Sequence, residues 1–236
     1  MNQITKVALW VSGAILLVIL IQYPIQKTTD SWDSWSLPLA GQVIVLDPGH
    51  GGVDGGAEGS DDTKEKEIAL EVTNKLRDYL QQSGALVYMT RESDRDLASE
   101  STNGLSKRKT EDLKQRVAFI KEKGPDFFLS IHLNAVPSSR WSGAQTFYYP
   151  SLKESEHLSK ALQYEIKRNL ENTNREALAI NGVYLLKYSE VPGALVELGF
   201  LSNTHERDLL KSTDYQSKMA ASLYEGILRY VTEEAE

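Results

Sequence analysis

The 236-residue chain has no cysteine, only four histidines, and fewer basic than acidic side chains, 26 against 33. The missing thiols exclude a cysteine nucleophile, a CxxC redox pair, thiolate ligation of zinc and any disulfide, so a metal could be held only by His, Asp or Glu. The net charge of −7 leaves no broad basic surface for phosphate contacts, so no nucleic-acid partner is expected. No GxSxG surrounds any serine, which removes the acyl-serine route. Gly49-x-Gly51 is followed by Asp54 where a GxGxxG loop needs glycine, and no GxxxxGK[ST] is present, so a nucleotide-binding loop fails on spacing. The chain carries no internal repeat or low-complexity tract. With 41% hydrophobic and 25% charged residues, its composition is that of a globular protein able to bury a core.

The longest run without charge lies between Lys6 and Lys27, and Val7 to Ile21 within it is almost wholly apolar. Its length falls between a signal-peptide core and a spanning helix. No small-x-small cleavage site follows it, Trp10 and Tyr23 stand where interfacial aromatics would stand, and Lys6 lies on the inner side. Residues 1–26 are therefore expected to be a membrane anchor or signal segment, with the rest of the chain on the extracytoplasmic side. Residues 27–41 mix Ser, Thr, Asp and Pro without periodicity and read as a linker. Residues 42–236 are long enough for one core and read as one domain.

Within that domain, the β-branched run Val43 to Leu46 predicts a buried strand ended by Asp47-Pro48-Gly49. Ile68, Val72, Leu76 and Leu80 recur at helical spacing from Glu65 to Gln82, and Ser83-Gly84 closes the helix. Further strands are expected at 86–90, 127–133, 145–149, 183–187 and 194–198. Further helices are expected around Leu113, Val117 and Ile120, from Leu158 to Leu170, and from Tyr215 to Ile227. Residues 92–110 read as one long polar loop, either solvated or bordering a groove. Apolar strands alternating with helices predict an α/β fold, a mostly parallel twisted sheet with helices on both faces and its site at the carboxyl ends of the strands.

Four residues invite chemistry. His50 follows a strand end among five glycines, Gly49, Gly51, Gly52, Gly55 and Gly56, which allow close approach of backbone and ligand. His132 interrupts the apolar strand Phe128 to Leu133, and alternation puts it on one face with Ser130 and Asn134. Both histidines fall at strand carboxyl ends, where they could converge; two His and one carboxylate leave a zinc position open for water. Glu65 opens the first helix and reads either as a first-turn helix charge or as a ligand. Glu197 sits inside Val196 to Phe200, where an apolar setting would raise its pKa as a general base requires. His157 and His205 lie in polar stretches and are expected at the surface.

Together these segments resemble the zinc-dependent N-acetylmuramoyl-L-alanine amidases of bacterial cell-wall metabolism, of the amidase-3 type. The resemblance runs from about Val43 to the last helix. It rests on Val45-Leu46-Asp47-Pro48-Gly49-His50-Gly51-Gly52, on Glu65-Lys66, on Ser130-Ile131-His132-Leu133-Asn134-Ala135, and on Val196-Glu197-Leu198-Gly199-Phe200-Leu201-Ser202-Asn203. It implies one Zn2+ per chain held by His50, Glu65 and His132, with Glu197 as catalytic acid/base. The implied reaction is hydrolysis of the amide between the lactyl group of N-acetylmuramic acid and L-alanine of the peptidoglycan stem peptide. Leu133 stands where many relatives have a small residue, which suggests an altered groove floor. No appended wall-binding module is recognised, so capture of peptidoglycan is expected from the domain, its long loop or a protein activator. These features resemble the sporulation and germination members acting on spore cortex. A zinc hydrolase of another peptide or amide and a non-catalytic wall-binding protein are the competing readings.

Overall fold

Val43-Ile44-Val45-Leu46 has no polar face, and a strand of that kind is stable only where both its faces are covered. In the computed structural model, which describes residues 2–25 and 37–233, it forms β1 (Val43–Pro48) inside a sheet, parallel to β2 (Leu86–Met89) on one side and β3 (Phe127–Asn134) on the other. With β4 (Gln145–Tyr148), β5 (Leu178–Ala179) and β6 (Gly193–Phe200) the six-stranded order is β2-β1-β3-β6-β4-β5. β6 runs parallel to β3, β4 antiparallel to β6, and β5 parallel to β4. The expected mostly parallel α/β sheet is thus the observed one.

Strand alternation divides the core. Ile44, Leu46, Leu129, Ile131, Val196 and Leu198 face one side, packed by α2 (Glu65–Gln82), α4 (Lys153–Leu170) and α7 (Thr213–Thr232) through Leu76, Leu162 and Leu223. Val45, Phe128 and Leu195 face the other, met by Val117 and Ile120 of α3 (Leu105–Lys123) and by Leu185 and Leu186 of the short α5 (Tyr184–Tyr188). This second face continues, at the carboxyl ends of β1, β3 and β6, into Asp47, Ser130, His132 and Glu197. Leu133, one residue out of phase, is buried in the opposite core. It therefore does not form the floor of a groove around His132.

Three expectations about elements are corrected. Residues 92–110 are not all loop, because α3 begins at Leu105 behind Gly104, whose φ of 92° turns the chain into the helix. Its first turn, Leu105 to Thr110, has one apolar residue and so no visible period. The remaining loop is held by Arg108 on Asp96, by Leu97 N–H on Asp112 and by Asp94 on Lys66, and it borders a groove of about 690 Å³. The strand expected at 183–187 is replaced by α5, which begins at Tyr184; the run is too short for its period to decide, and Ser189 Oγ donating to Leu185 O closes the helical turn. His157 is half-buried with its ring 5.4 Å from that of Tyr230, whereas His205 is exposed as expected.

Helix α6 (Thr204–Lys211) is not among the expected elements, although Asn203-x-x-Glu206 is a capping signature and the Asn203 side chain accepts from Glu206 N. Glu206 is itself buried and its carboxylate accepts from the N–H groups of Gly143 and Phe200, 2.8 Å each. Glu206→Ala leaves both donors without a partner, and urea unfolding is expected to show a loss of about 2 to 4 kcal/mol.

The chain divides into two units, residues 1–38 and Leu39–Glu236. In the first, α1 (Gln3–Ile25) exposes Leu9, Trp10, Ile15 and Leu17. Among the described residues no helix is long and apolar enough to cross a membrane. Most of the expected linker, residues 26–36, lies outside the described residues.

Candidate metal centre

The sheet sets out one row of residues across four strands. His132 pairs in register with Glu197, and Glu197 with Gln145; the β1 register continues to Gly49 opposite His132. Paired residues project from the same face, about 5 Å apart between neighbouring strands. His50 and Glu65 are delivered to this row from outside the sheet, by the loop after β1 and by the first residue of α2.

His50, Glu65 and His132 each bring a ligand atom to within 4.8 Å of the others. His132 Nδ1 lies 2.9 Å from Glu65 Oε1 and His50 Nε2 lies 3.2 Å from Glu65 Oε2. The two rings stand edge to face at 5.0 Å. Glu65 is buried, and its oxygens also accept from the N–H groups of Ala57 and Leu133. Burial alone would raise its pKa, but the hydrogen bonds and positive charge of the two histidines hold it well below the usual carboxylate range.

Outer partners set the imidazole tautomers. Asp54 Oδ2 accepts a hydrogen bond from His50 Nδ1–H at 2.8 Å, which leaves the Nε2 lone pair of the neutral ring facing Glu65. Ser130 Oγ donates to Asp47 Oδ2 at 2.6 Å, so at 3.1 Å it accepts from His132 Nε2, leaving the Nδ1 lone pair facing Glu65 as well. With both imidazoles neutral, these tautomers turn three electron-pair donors towards one another with no hydrogen between them, an arrangement that a cation satisfies. Without a metal a proton does so: burial acts to lower the His50 pKa, but the bonds to Asp54 and Glu65 outweigh it and raise it to about 9. Glycines keep the space open. A Cβ at Gly49 would overlap the His132 ring, and one at Gly56 would lie 2.5 Å from Glu65 Oε2.

His50 is itself in the left-handed region, at φ 59°, a conformation that costs a non-glycine residue about 1 kcal/mol or more. Two buried arginines hold it there through main-chain carbonyls. Arg116 donates to Pro48 O and His50 O, at 2.8 and 2.6 Å. Arg91 donates to Pro48 O, Gly49 O and Lys66 O, the last tying the start of α2 to the same loop. Burial lowers the Arg91 pKa only to about 10, so it stays charged. Neither arginine is legible as a site residue, because its partners on the His50 loop are backbone atoms brought together by the fold.

Glu197 differs from the other acids. One carboxylate oxygen, Oε2, is buried and, among the described residues, has no hydrogen-bond partner. Burial raises its pKa to about 7, with His132 opposing and Glu65 adding to the shift.

An α/β sheet with two imidazoles and a helix-borne carboxylate gathered at the ends of its strands, beside a further carboxylate of raised pKa, is the arrangement of a metal-dependent hydrolase. The chain belongs to the N-acetylmuramoyl-L-alanine amidase family, whose model matches residues 44–229. It is 54% identical over 230 residues, 96% of each chain, to the germination-specific N-acetylmuramoyl-L-alanine amidase of Bacillus subtilis strain 168. LytC of the same organism, also an N-acetylmuramoyl-L-alanine amidase, is 32% identical over 82% of this chain and 36% of its own length. The structure of the CwlD amidase from Clostridioides difficile in complex with the GerS lipoprotein matches with a TM-score of 0.79 at 43% identity, covering 81% of this chain and 98% of that one.

Proposed function

We propose that the protein uses zinc to hydrolyse the amide between the lactyl group of N-acetylmuramic acid and L-alanine of the peptidoglycan stem peptide, in spore cortex or cell wall during sporulation or germination. The reading is carried by one observation: the buried, unpartnered Oε2 of Glu197, in register with His132 beside the converging His50, Glu65 and His132. The cortex assignment is supported by likeness to the germination-specific amidase.

His50, Glu65 and His132 would hold the zinc, as three protein ligands do in hydrolytic sites. When bound, zinc supplies polarisation of the scissile carbonyl and a lowered pKa for water. Glu197 takes the proton of the attacking water on Oε2 and returns it to the departing amine of L-alanine. With a pKa of about 7, it can both accept and release that proton near neutrality. Asp54 and Ser130 keep the two imidazoles in the tautomers described, and no covalent intermediate with a protein nucleophile is formed.

The uncharged run between Lys6 and Lys27 and the exposed apolar side chains of α1 support a signal segment or membrane anchor that puts the domain on the extracytoplasmic side, where peptidoglycan lies. A protein partner is supported by likeness to the CwlD amidase, whose structure contains the GerS lipoprotein.

The test is digestion of purified peptidoglycan by the full chain, with products read by mass spectrometry. Free stem peptides beginning with L-alanine, lost on chelation and restored by zinc, are expected; cleavage elsewhere, or undiminished release after chelation, overturns the reading. His132→Ala is expected to bind zinc at least a hundredfold more weakly in a calorimetric titration, and an unchanged affinity would remove His132 from the ligand set.

A further inference from the structure

Beyond Glu197 the row across the sheet reaches Gln145, whose side chain leaves the sheet for the segment between α4 and β5. Gln145 Nε2 donates to Glu176 O, and its Oε1 accepts from Arg175 Nη1 at 3.2 Å. Arg175 Nε donates to Ser142 O. Its guanidinium lies over two aromatic rings, 5.2 Å from that of Phe200 and 5.5 Å from that of Trp141.

The arginine is oriented by these contacts but not neutralised. Among the described residues no carboxylate forms an ion pair with it. The nearby Glu206 adds negative charge, but its oxygens are engaged by the N–H groups of Gly143 and Phe200. A guanidinium has five N–H donors; two of its nitrogens are used here, and Nη2 has no partner among the described residues. The two rings hold the guanidinium from its apolar side, and the N–H groups it still has to give are the kind of paired donors that bind a carboxylate.

Its place in the row sets what it could reach. Neighbouring strands are about 5 Å apart, so Gln145 stands roughly 5 Å beyond Glu197 and 10 Å beyond His132. An extended peptide advances about 3.3 Å per residue, so a peptide that runs along the row from Glu197 brings the residue after L-alanine towards Gln145 and the guanidinium bonded to it.

We propose that Arg175, set by Gln145 and the Trp141 and Phe200 rings, is a specificity-determining residue that binds a free carboxylate on the second residue of the departing peptide. This inference rests on the amidase reading above. It predicts discrimination by charge: strands whose second stem residue is D-isoglutamate, with a free α-carboxylate, are cleaved in preference to strands carrying the α-carboxamide.

The experiment compares the two kinds of strand with the zinc-loaded full chain. Wild type is expected to favour the carboxylate by about tenfold in kcat/KM, mainly through KM, with the preference shrinking as salt screens the pair. Arg175→Met is expected to bring the carboxylate strands down to the level of the carboxamide strands, and Arg175→Lys, which keeps the charge but not the fork, to retain part of the preference. Equal cleavage of both strands by wild type overturns the proposal while leaving the amidase reading intact, as does an undiminished preference in Arg175→Met. Failure to cleave either strand overturns both. The wild-type comparison decides the matter even if a variant does not fold.

Discussion

Glu197→Gln is expected to keep one zinc per chain and lower kcat by about a thousandfold. The amide is nearly the same size as the carboxylate and sits at a position already buried without a hydrogen bond to Oε2, so the fold has little reason to respond. What is lost is the ability to take up and return a proton, a contribution of the order of 10² to 10⁴ for a positioned acid/base. The effect should fall on kcat with KM little changed, because the glutamine still fills the space beside the substrate. Zinc content by elemental analysis separates this from loss of the metal. Full activity in Glu197→Gln would remove the residue from the mechanism, and loss of zinc would make it part of the metal's support.

How far such a site can be read from sequence depends on where each residue's partners are. His132 and Glu197 are legible because each is a polar residue inside an apolar strand, a placement that is costly unless the residue is paired or working. His50 is legible through its glycines, two of which, Gly49 and Gly56, indeed stand against His132 and Glu65. Glu65 is different. Locally it is one of several acids, with Glu67 and Glu71 on the same helix, and what distinguishes it is the approach of Ala57 N, Leu133 N and both imidazoles from segments remote in sequence. Only the family resemblance chose it. The fold shows the same division: β1 and β3 announce themselves as continuous apolar runs, whereas α5 and the first turn of α3 carry too few apolar residues to display a period.

Arg116 is the clearest case of a residue whose role is invisible until the fold is known, and Arg116→Met is expected to cost about 4 kcal/mol. The guanidinium is buried and binds Asp47 Oδ1 at 2.7 Å and Asp112 Oδ2 at 2.8 Å, besides the carbonyls of Pro48 and His50. Methionine replaces much of its volume but leaves two buried carboxylates without their cation and the His50 carbonyl without this donor, and breaking a buried pair from one side costs about 3 to 5 kcal/mol. The pH dependence identifies the cause. In the wild type, burial acts to raise the Asp47 pKa, but Arg116, Ser130 and Thr90 outweigh it and hold it below the usual value. A depressed carboxylate contributes stability that is present above its unfolded pKa of about 3.9 and is lost as pH falls through its folded pKa. Removing Arg116 takes away the largest influence opposing burial, so the Asp47 pKa rises in the variant and its charged form becomes the more costly one to keep buried, a cost relieved as pH falls. The gap between wild type and Arg116→Met, measured by urea unfolding of the metal-free proteins, should therefore narrow from pH 7 towards pH 4. Asp47→Asn added to Arg116→Met should recover part of the loss at pH 7, because the second change removes a charge the first left unpaired. A constant gap across this range would mean that lost packing, and not an unpaired carboxylate, accounts for the destabilisation. The same variant also releases the His50 carbonyl, so its zinc affinity should fall even at pH 7 and low denaturant, where the domain is still folded. That second readout distinguishes a clamp on the metal-binding loop from an ion pair that merely stabilises the sheet.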